Sequence, residues 1–286
     1  MKKITRILLL ALSLIMILSV LTACGGDAGT SSQGSQGSQG SGNQDKDPDP
    51  PDTGEPSLTV QPGVLTMATN AEFPPYEFWQ GGKIVGIDAE IAEAIAGKLG
   101  LTLQIDDMDF NGILAAVTAG RADMAMAGLT ITEERMESVD FSTSYATGIQ
   151  VVIVKEGSPI TSVDDLYEVG GFDIGVQEST TGDLYATWFL EDEDLATIHR
   201  FRRGADAVQA LVIGRVDCVI IDNEPAKAFV AMNTGLFILD TEFEIEDYAI
   251  AFAKNNPLRD AVDKALQELI ADGTVQSIID KYITGE

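Results

Sequence analysis

Gly120-Arg121-Ala122-Asp123-Met124-Ala125-Met126-Ala127 and Gly214-Arg215-Val216-Asp217-Cys218-Val219-Ile220-Ile221-Asp222 are two versions of one passage. Each opens with glycine, arginine, an apolar residue and aspartate, and each continues as an apolar strand. An amphipathic helix precedes each, Phe110 to Ala119 in the first and Ala205 to Ile213 in the second, and the glycine stops it. A strand with no polar face fits a parallel sheet covered by helices on both sides.

Upstream of the first copy, Val64 to Thr69 reads as a strand ending at Asn70. Asp88 then caps a helix that carries Ile91, Ile95 and Leu99 on one stripe, and Gly100 stops it. Leu101 to Ile105 alternates as a second strand, and Ala122 to Ala127 is the third. Upstream of the second copy the same order recurs: strand Phe172 to Val176, helix Thr181 to Leu190, strand Thr197 to Phe201. Two related α/β lobes follow from that recurrence. After them, Asn256-Pro257 is a cap with proline at the first helical position. A helical stripe runs from Leu258 to Ile270, Gly273 ends it, and Thr274 to Tyr282 forms one more short helix. Ligands of open parallel sheets sit beyond the carboxyl ends of the strands. Those ends are Asn70, Ala127-Gly128, Gln177-Glu178 and Asp222. If the lobes face each other, the four places line one cleft.

The N-terminal part reads differently. Lys2, Lys3 and Arg6 precede an apolar stretch from Ile7 to Leu21, which is short for a membrane span and flanked like an export signal. Leu21-Thr22-Ala23-Cys24 resembles a bacterial lipobox. The resemblance implies a signal peptide over residues 1–23, cleavage before Cys24 and diacylglycerol on its thiol, which anchors a protein without spanning the membrane. Residues 24–61 are then the lipidated cysteine and a flexible tether. Gly-Ser-Gln repeats run from Ser32 to Gly42, followed by an Asp/Pro segment from Asp45 to Asp52. The alternating aspartates hint at calcium, but the prolines and the absent loop glycine favour a solvated spacer.

The whole chain has 286 residues, 45% apolar and 22% charged, with a formal charge of −27. That balance excludes nucleic acid as the main partner, because phosphate binding needs a basic face. Two cysteines and one histidine exclude a disulfide scaffold and the usual zinc sites. Neither a metal nor a cofactor is expected.

Arg135 is the most informative single residue. Thr132 reads as a helix N-cap followed by Glu133, Glu134 and Arg135. A ligand carboxylate there would meet both the guanidinium and free backbone N–H groups. An arginine paired with its neighbouring glutamates on the surface fits the spacing equally well. Asp222 ends an apolar strand, where it could receive an ammonium group or cap the turn Asn223-Glu224-Pro225. Phe73, Tyr76, Phe78 and Trp79 cluster around Pro74-Pro75 in what reads as a loop, and one of them is expected to face a ligand. Phe110 is a second wall or a core residue. His199 reads as structural, Cys218 as a buried thiol, and the acidic runs Glu191–Asp194 and Glu242–Asp247 as solvated faces.

These residues match something specific. Ala68 to Phe78, Ile84 to Asp88, Ala127 to Arg135, Val139 to Ser142, Gly175 to Gly182 and Val216 to Asp222 resemble the polar amino-acid-binding proteins of ABC importers. This is the family of the glutamine-, histidine- and arginine-binding proteins, and the likeness covers residues 62–284 in order. It implies the two-lobed type II periplasmic-binding-protein fold. Each lobe is a mostly parallel sheet flanked by helices, and two hinge strands join them. Lobe one would be 62–148 plus 249–286, and lobe two 149–247.

The resemblance also assigns roles. Arg135 would bind the ligand α-carboxylate, with Gly128 and Thr130 adding N–H and hydroxyl contacts. Asp222 would take the α-ammonium. Thr180 and Thr181 would cap the carboxylate, and Phe73 and Phe110 would flank the side chain. Ala127, Gln177 and Asn70 complete the expected site. Asn70 departs from the aspartate of many relatives, which favours a neutral polar side chain, although an inward-facing Glu178 would restore an acid. The implied partners are a free polar amino acid, an ABC permease with its ATPase subunits, and the outer face of the cytoplasmic membrane through Cys24, with the protein itself a monomer and not an enzyme. Two other classes stay in view: a cyclohexadienyl or arogenate dehydratase on the same fold, with Glu178 or Glu77 as acid, and a ligand-sensing module.

Overall fold

The computed structural model describes residues 58–283. The export segment, Cys24 and the tether as far as residue 57 lie outside the described residues. Val60 already donates its N–H to Asp123 at 2.6 Å, so the chain is fixed to the fold ahead of residue 62.

The first run of elements is β1 (Val64–Thr69), β2 (Glu72–Phe73), β3 (Glu77–Gln80), β4 (Lys83–Val85), α1 (Ile87–Leu99), β5 (Thr102–Asp107), α2 (Ile113–Thr118), β6 (Met124–Ala125), α3 (Glu133–Ser138) and β7 (Val139–Phe141). The second is β8 (Ala146–Lys155), α4 (Asp164–Glu168), β9 (Phe172–Gln177), α5 (Thr181–Ala186), β10 (Ala196–Phe201), α6 (Gly204–Val212), β11 (Cys218–Asp222), α7 (Asn223–Met232), β12 (Leu236–Ile238) and β13 (Glu244–Tyr248). Then come β14 (Ala251–Ala253), α8 (Leu258–Ala271) and α9 (Thr274–Tyr282).

Two sheets form two lobes. The first has the order β5-β1-β6-β14-β7; the second has β10-β9-β11-β8-β12, with β13 also on β8. Parallel pairing is confined to β5-β1-β6 and β10-β9-β11, the three strands read from the pattern in each half. The strands added beside them are antiparallel. Both faces of each sheet are covered. Leu65 and Met67 pack with Ile91, Ile95, Val262 and Leu266, while Ala68 and Ala125 meet Ile113 and Val117 of α2. In the second lobe Ile174 and Ile220 pack with Leu166 and Leu190, and Val219 and Ile221 with Val208 and Leu211. Each of the Leu, Ile, Val and Met side chains buried here contributes about 1.5–3 kcal/mol.

The repeated passage is a stitch from helix to strand. Gly120 and Gly214 take φ of 65° and 76°, the left-handed conformation that ends a helix. Arg121 and Arg215 return their N–H groups to the carbonyls of Ala116 and Ala210. Asp123 and Asp217 then donate N–H to Thr66 and Asp173, and their carboxylates accept the N–H of those same residues at 2.7 and 2.9 Å.

Several details differ from the sequence reading. Gly86, not Asp88, holds the N-cap position of α1; Asp88 is inside the first turn and fully buried. The aromatic stretch after β1 is not a loop but the small antiparallel sheet β2-β3-β4. The helix from Thr181 gives way at Thr187 to a π-turn ending at Glu191. In the run Glu242–Asp247, Glu246 is buried rather than solvated.

The chain passes between the sheets after β7 and again after β13. The strands at these crossings pair with each other: Gly148 of β8 lies opposite Glu246 of β13. A Cβ on Gly148 would stand 2.3 Å from the Tyr248 ring, so the close approach requires glycine.

Candidate functional site

The carboxyl ends of β1, β6, β9 and β11 meet around a small cavity of 20 Å³, measured to the centre of a water molecule. Asn70, Phe73, Phe110, Ala127, Gly128 and Arg135 line it from the first lobe, and Gln177, Thr180 and Thr181 from the second. That space holds about one water. An amino acid enters only if the lobes part or the walls shift. Thr130 and Asp222 are not in the lining; they stand directly behind it.

Arg135 is positioned by its helix. The Thr132 hydroxyl caps α3 by accepting the Arg135 N–H at 3.1 Å. The guanidinium donates from Nη1 to the Thr130 carbonyl at 3.0 Å and from Nη2 to the Ser179 carbonyl, in the other lobe, at 3.1 Å. Its Cζ lies 5.7 Å from the centre of the Phe110 ring. The residue is only 6% exposed, and among the described residues no carboxylate comes within ion-pairing distance. The alternative of a surface arginine paired with Glu133 or Glu134 is thereby ruled out. Burial lowers its affinity for the proton, opposed first by the charge of Glu246.

Asp222 is a cap in this structure. Its Oδ1 accepts the Glu224 N–H at 3.0 Å, and its Oδ2 accepts the Ile149 N–H at 3.2 Å and the Tyr248 hydroxyl. It is 2% exposed, and burial pushes its carboxyl up to about 7. Tyr248 carries this carboxylate's influence to the cavity wall, where its ring stands edge-on to Tyr76.

Asn70 and Gln177 join the lobes. Gln177 donates Nε2 to Asn70 Oδ1 at 3.1 Å, and Asn70 donates Nδ2 to the Met108 carbonyl at 3.0 Å. This end of the cavity therefore presents amides. Glu178 lies outside it, half-buried and accepting from Asn111 Nδ2 at 2.7 Å. Thr180 caps α5 and donates to the Gln177 carbonyl, while Thr181 Oγ1 lies 3.5 Å from Thr130 Oγ1.

Of the aromatic cluster only Phe73 reaches the cavity. Tyr76 is core, Phe78 packs edge-on against Tyr282, and Trp79 is 55% exposed with its indole N–H on Asp107. Gly128 takes φ of 53°, and a Cβ there would come within 2.8 Å of the Phe73 ring. Its N–H is donated to Asp88 Oδ2 at 3.0 Å, so the contact expected from that N–H to a ligand is taken by a buried carboxylate here. Tyr145 donates to the other Asp88 oxygen, and burial pushes Asp88 up to about 6. Glu77 is wholly buried beside Asp88, which together with burial raises its carboxyl far above the usual range.

His199 pairs with Asp173, and Cys218 is a fully buried free thiol whose burial raises its pKa. Sequence reading missed Gln150, Ile221 and Tyr248 in the cavity wall, and Glu246 behind it. Two signals pointed to them. Gln150 is the one polar side chain in the run from Gly148 to Val154 of β8, and Glu246 shares the inward face of β13 with Tyr248 by period-two alternation.

A family profile described as "Bacterial extracellular solute-binding proteins, family 3" matches residues 65–285. The arginine-binding extracellular protein ArtP of Bacillus subtilis (strain 168) is 34% identical over 227 residues, covering 78% of this chain and 87% of the relative. A solved structure of an ancestral arginine-binding protein bound to arginine is 39% identical with a TM-score of 0.72, covering 77% of this chain and 98% of that one. A second, the ancestral amino acid-binding protein AncCDT-1, a precursor of cyclohexadienyl dehydratase, is 32% identical with a TM-score of 0.70, covering 77% and 95%.

Proposed function

The chain belongs to the bacterial extracellular solute-binding proteins of family 3, and from that membership we propose that it captures a free polar L-amino acid and hands it to the permease of an ABC importer. The observation that carries the ligand class is Arg135: a buried guanidinium at a two-lobed cleft, held by two carbonyls and a ring face, with no carboxylate of the described residues within ion-pairing distance.

In this reading Arg135 takes the α-carboxylate, with Thr130, Gly128, Thr180 and Thr181 around it. Asp222 takes the α-ammonium once Tyr248 gives way. Phe73 and Phe110 flank the side chain, and Asn70 with Gln177 favours a neutral polar end over a fully charged one. Lobe one is 62–148 with 249–286, lobe two is 149–247, and the paired crossings of β8 and β13 are the hinge. Ligand contacts to both lobes favour closure, and the closed form docks on the permease, whose ATPase subunits drive transport. The protein acts as a lipid-anchored monomer outside the cytoplasmic membrane, held by Cys24 and a tether that keeps it near the permease. No helix of the described residues is long and apolar enough to cross a membrane.

Binding without catalysis is the reading that the acids favour. Glu77, one candidate general acid, is sealed beside Asp88, and Glu178, the other, is held by Asn111 at the rim. A dehydratase would need one of them in the cavity.

Melting of the refolded protein with each of the twenty amino acids and L-cystine tests the proposal. A ligand at 100 times its Kd adds about 2.7 kcal/mol to stability. One or a few polar amino acids should shift the transition, and Arg135→Ala or Asp222→Ala should abolish the shift. No shift across the panel rejects amino-acid capture.

A further inference from the structure

One buried carboxylate has no role in the binding scheme above. Glu246 sits in β13 opposite Gly148 and is 4% exposed. Its Oε2 accepts from the Thr130 hydroxyl at 2.9 Å and from Gln150 Nε2 at 3.2 Å. Its Oε1 is buried and has no hydrogen-bond partner among the described residues. Thr130 is also the residue whose carbonyl holds Arg135 Nη1. Of the negative groups acting on that guanidinium, Glu246 is foremost, ahead of Glu134.

We infer that Glu246 is the resident counter-ion of Arg135, neutralising the buried guanidinium in the closed lobes and weakening its hold on an incoming carboxylate. The inference rests on the reading of the cleft as a carboxylate site. A buried cation without an opposite charge nearby is costly, and two carbonyls and a ring face offset only part of that. Glu246 supplies the missing charge from behind the wall. A ligand carboxylate brings the same charge to the same guanidinium, and Glu246 then repels it. The Thr130 hydroxyl has a single proton, and Glu246 holds it. Donating it to a ligand means breaking that bond. Both effects trade affinity for ease of release. Glu246 touches no ligand in this scheme; it is a positioning residue acting through Arg135 and Thr130.

Glu246→Gln keeps an acceptor oxygen and nearly the same shape but removes the charge. Isothermal titration with L-arginine and L-glutamine as probes should show the variant binding whichever probe the wild type binds about five- to tenfold more tightly. Its ligand-free melting temperature should fall. A merely structural role for Glu246 predicts unchanged or weaker binding, and that result overturns the inference. A double-mutant cycle without ligand, combining Arg135→Met with Glu246→Gln, is the second readout. The combined loss of stability should be smaller than the sum of the two single losses, and an additive loss overturns the inference. A Glu246→Gln chain that folds only together with Arg135→Met shows the same coupling; failure in both backgrounds overturns it. If the whole amino-acid panel fails, the capture reading falls separately, and the ligand-free cycle still decides the counter-ion pair.

Discussion

Asp222 caps α7 and stands behind the cavity wall, and as the proposed acceptor of the ligand ammonium it would tie stability to binding through its titration. Its carboxyl is pushed from 3.8 up to about 7 and that of Asp88 up to about 6, in both cases chiefly by burial. The folded protein keeps protons there that the unfolded chain gives up at lower pH. That stabilisation is complete below the unfolded value near 3.8 and is lost as pH rises through about 6 and then about 7. The melting temperature of the ligand-free protein should therefore fall from about pH 5 to about pH 8, and Asp222→Asn should flatten the upper part of the curve. Binding should run the other way. An ammonium group needs ionised Asp222, so calorimetry should show proton release and a tighter Kd as pH rises. A Kd independent of pH across this window would count against Asp222 as the ammonium acceptor. Gly148→Ala tests the neighbouring contact: the added methyl collides with Tyr248 and should cost about 1–3 kcal/mol in a denaturant melt. At this scale the sequence was legible where chemistry was rare. Arg135 stood out in an acidic chain. Glu246 did not, because a buried glutamate among exposed acids carries no compositional mark and is betrayed only by its place on a strand.

The repeated stitch makes a prediction for elements. Asp123 is buried and accepts two backbone N–H groups, from Val60 and Thr66, whereas Asp217 is exposed and accepts one, from Asp173. Asp123→Ala leaves the buried Thr66 N–H and the part-buried Val60 N–H unmet and should cost about 1–3 kcal/mol, while Asp217→Ala should cost about 1 kcal/mol or less. Equal losses in a urea titration would show that the two copies are not distinguished by burial. Long periodic elements were the readable ones. Helix α8 and the parallel strands β1, β5, β9 and β10 were all visible in the spacing of apolar residues. The strands β2, β3, β4, β12 and β14 run two to four residues, too short for any period to show, and their pairing is decided by neighbours far away in sequence.

At the scale of the whole molecule, polar contacts cross the cleft at its base and at its rim. Arg135 to Ser179 and Gln177 to Asn70 lie inside; Asn111 to Glu178, Arg202 to Asp109 and Arg203 to Glu72 lie outside. The exposed ion pairs are screened by salt and add little. The buried amide pair should matter more. A Gln177→Ala, Asn111→Ala protein should scatter X-rays with a larger radius of gyration than wild type without ligand, and return to the wild-type value at saturation. An identical radius in both states would place the closing force elsewhere. Two lobes and their order were foreseeable from one recurring four-residue passage; their closure against each other was not, since it depends on side chains from opposite sheets that no local pattern links.

Strand β14 is synthesised after the whole second lobe, yet it lies between β6 and β7 in the first sheet. A chain leaving the ribosome N-terminus first cannot finish that sheet until residues 251–253 have emerged. Before then β6 and β7 flank a gap and each lacks its partner. Sheets completed by such distant pairings form slowly. Topology therefore leaves the first lobe incomplete until the second has been made.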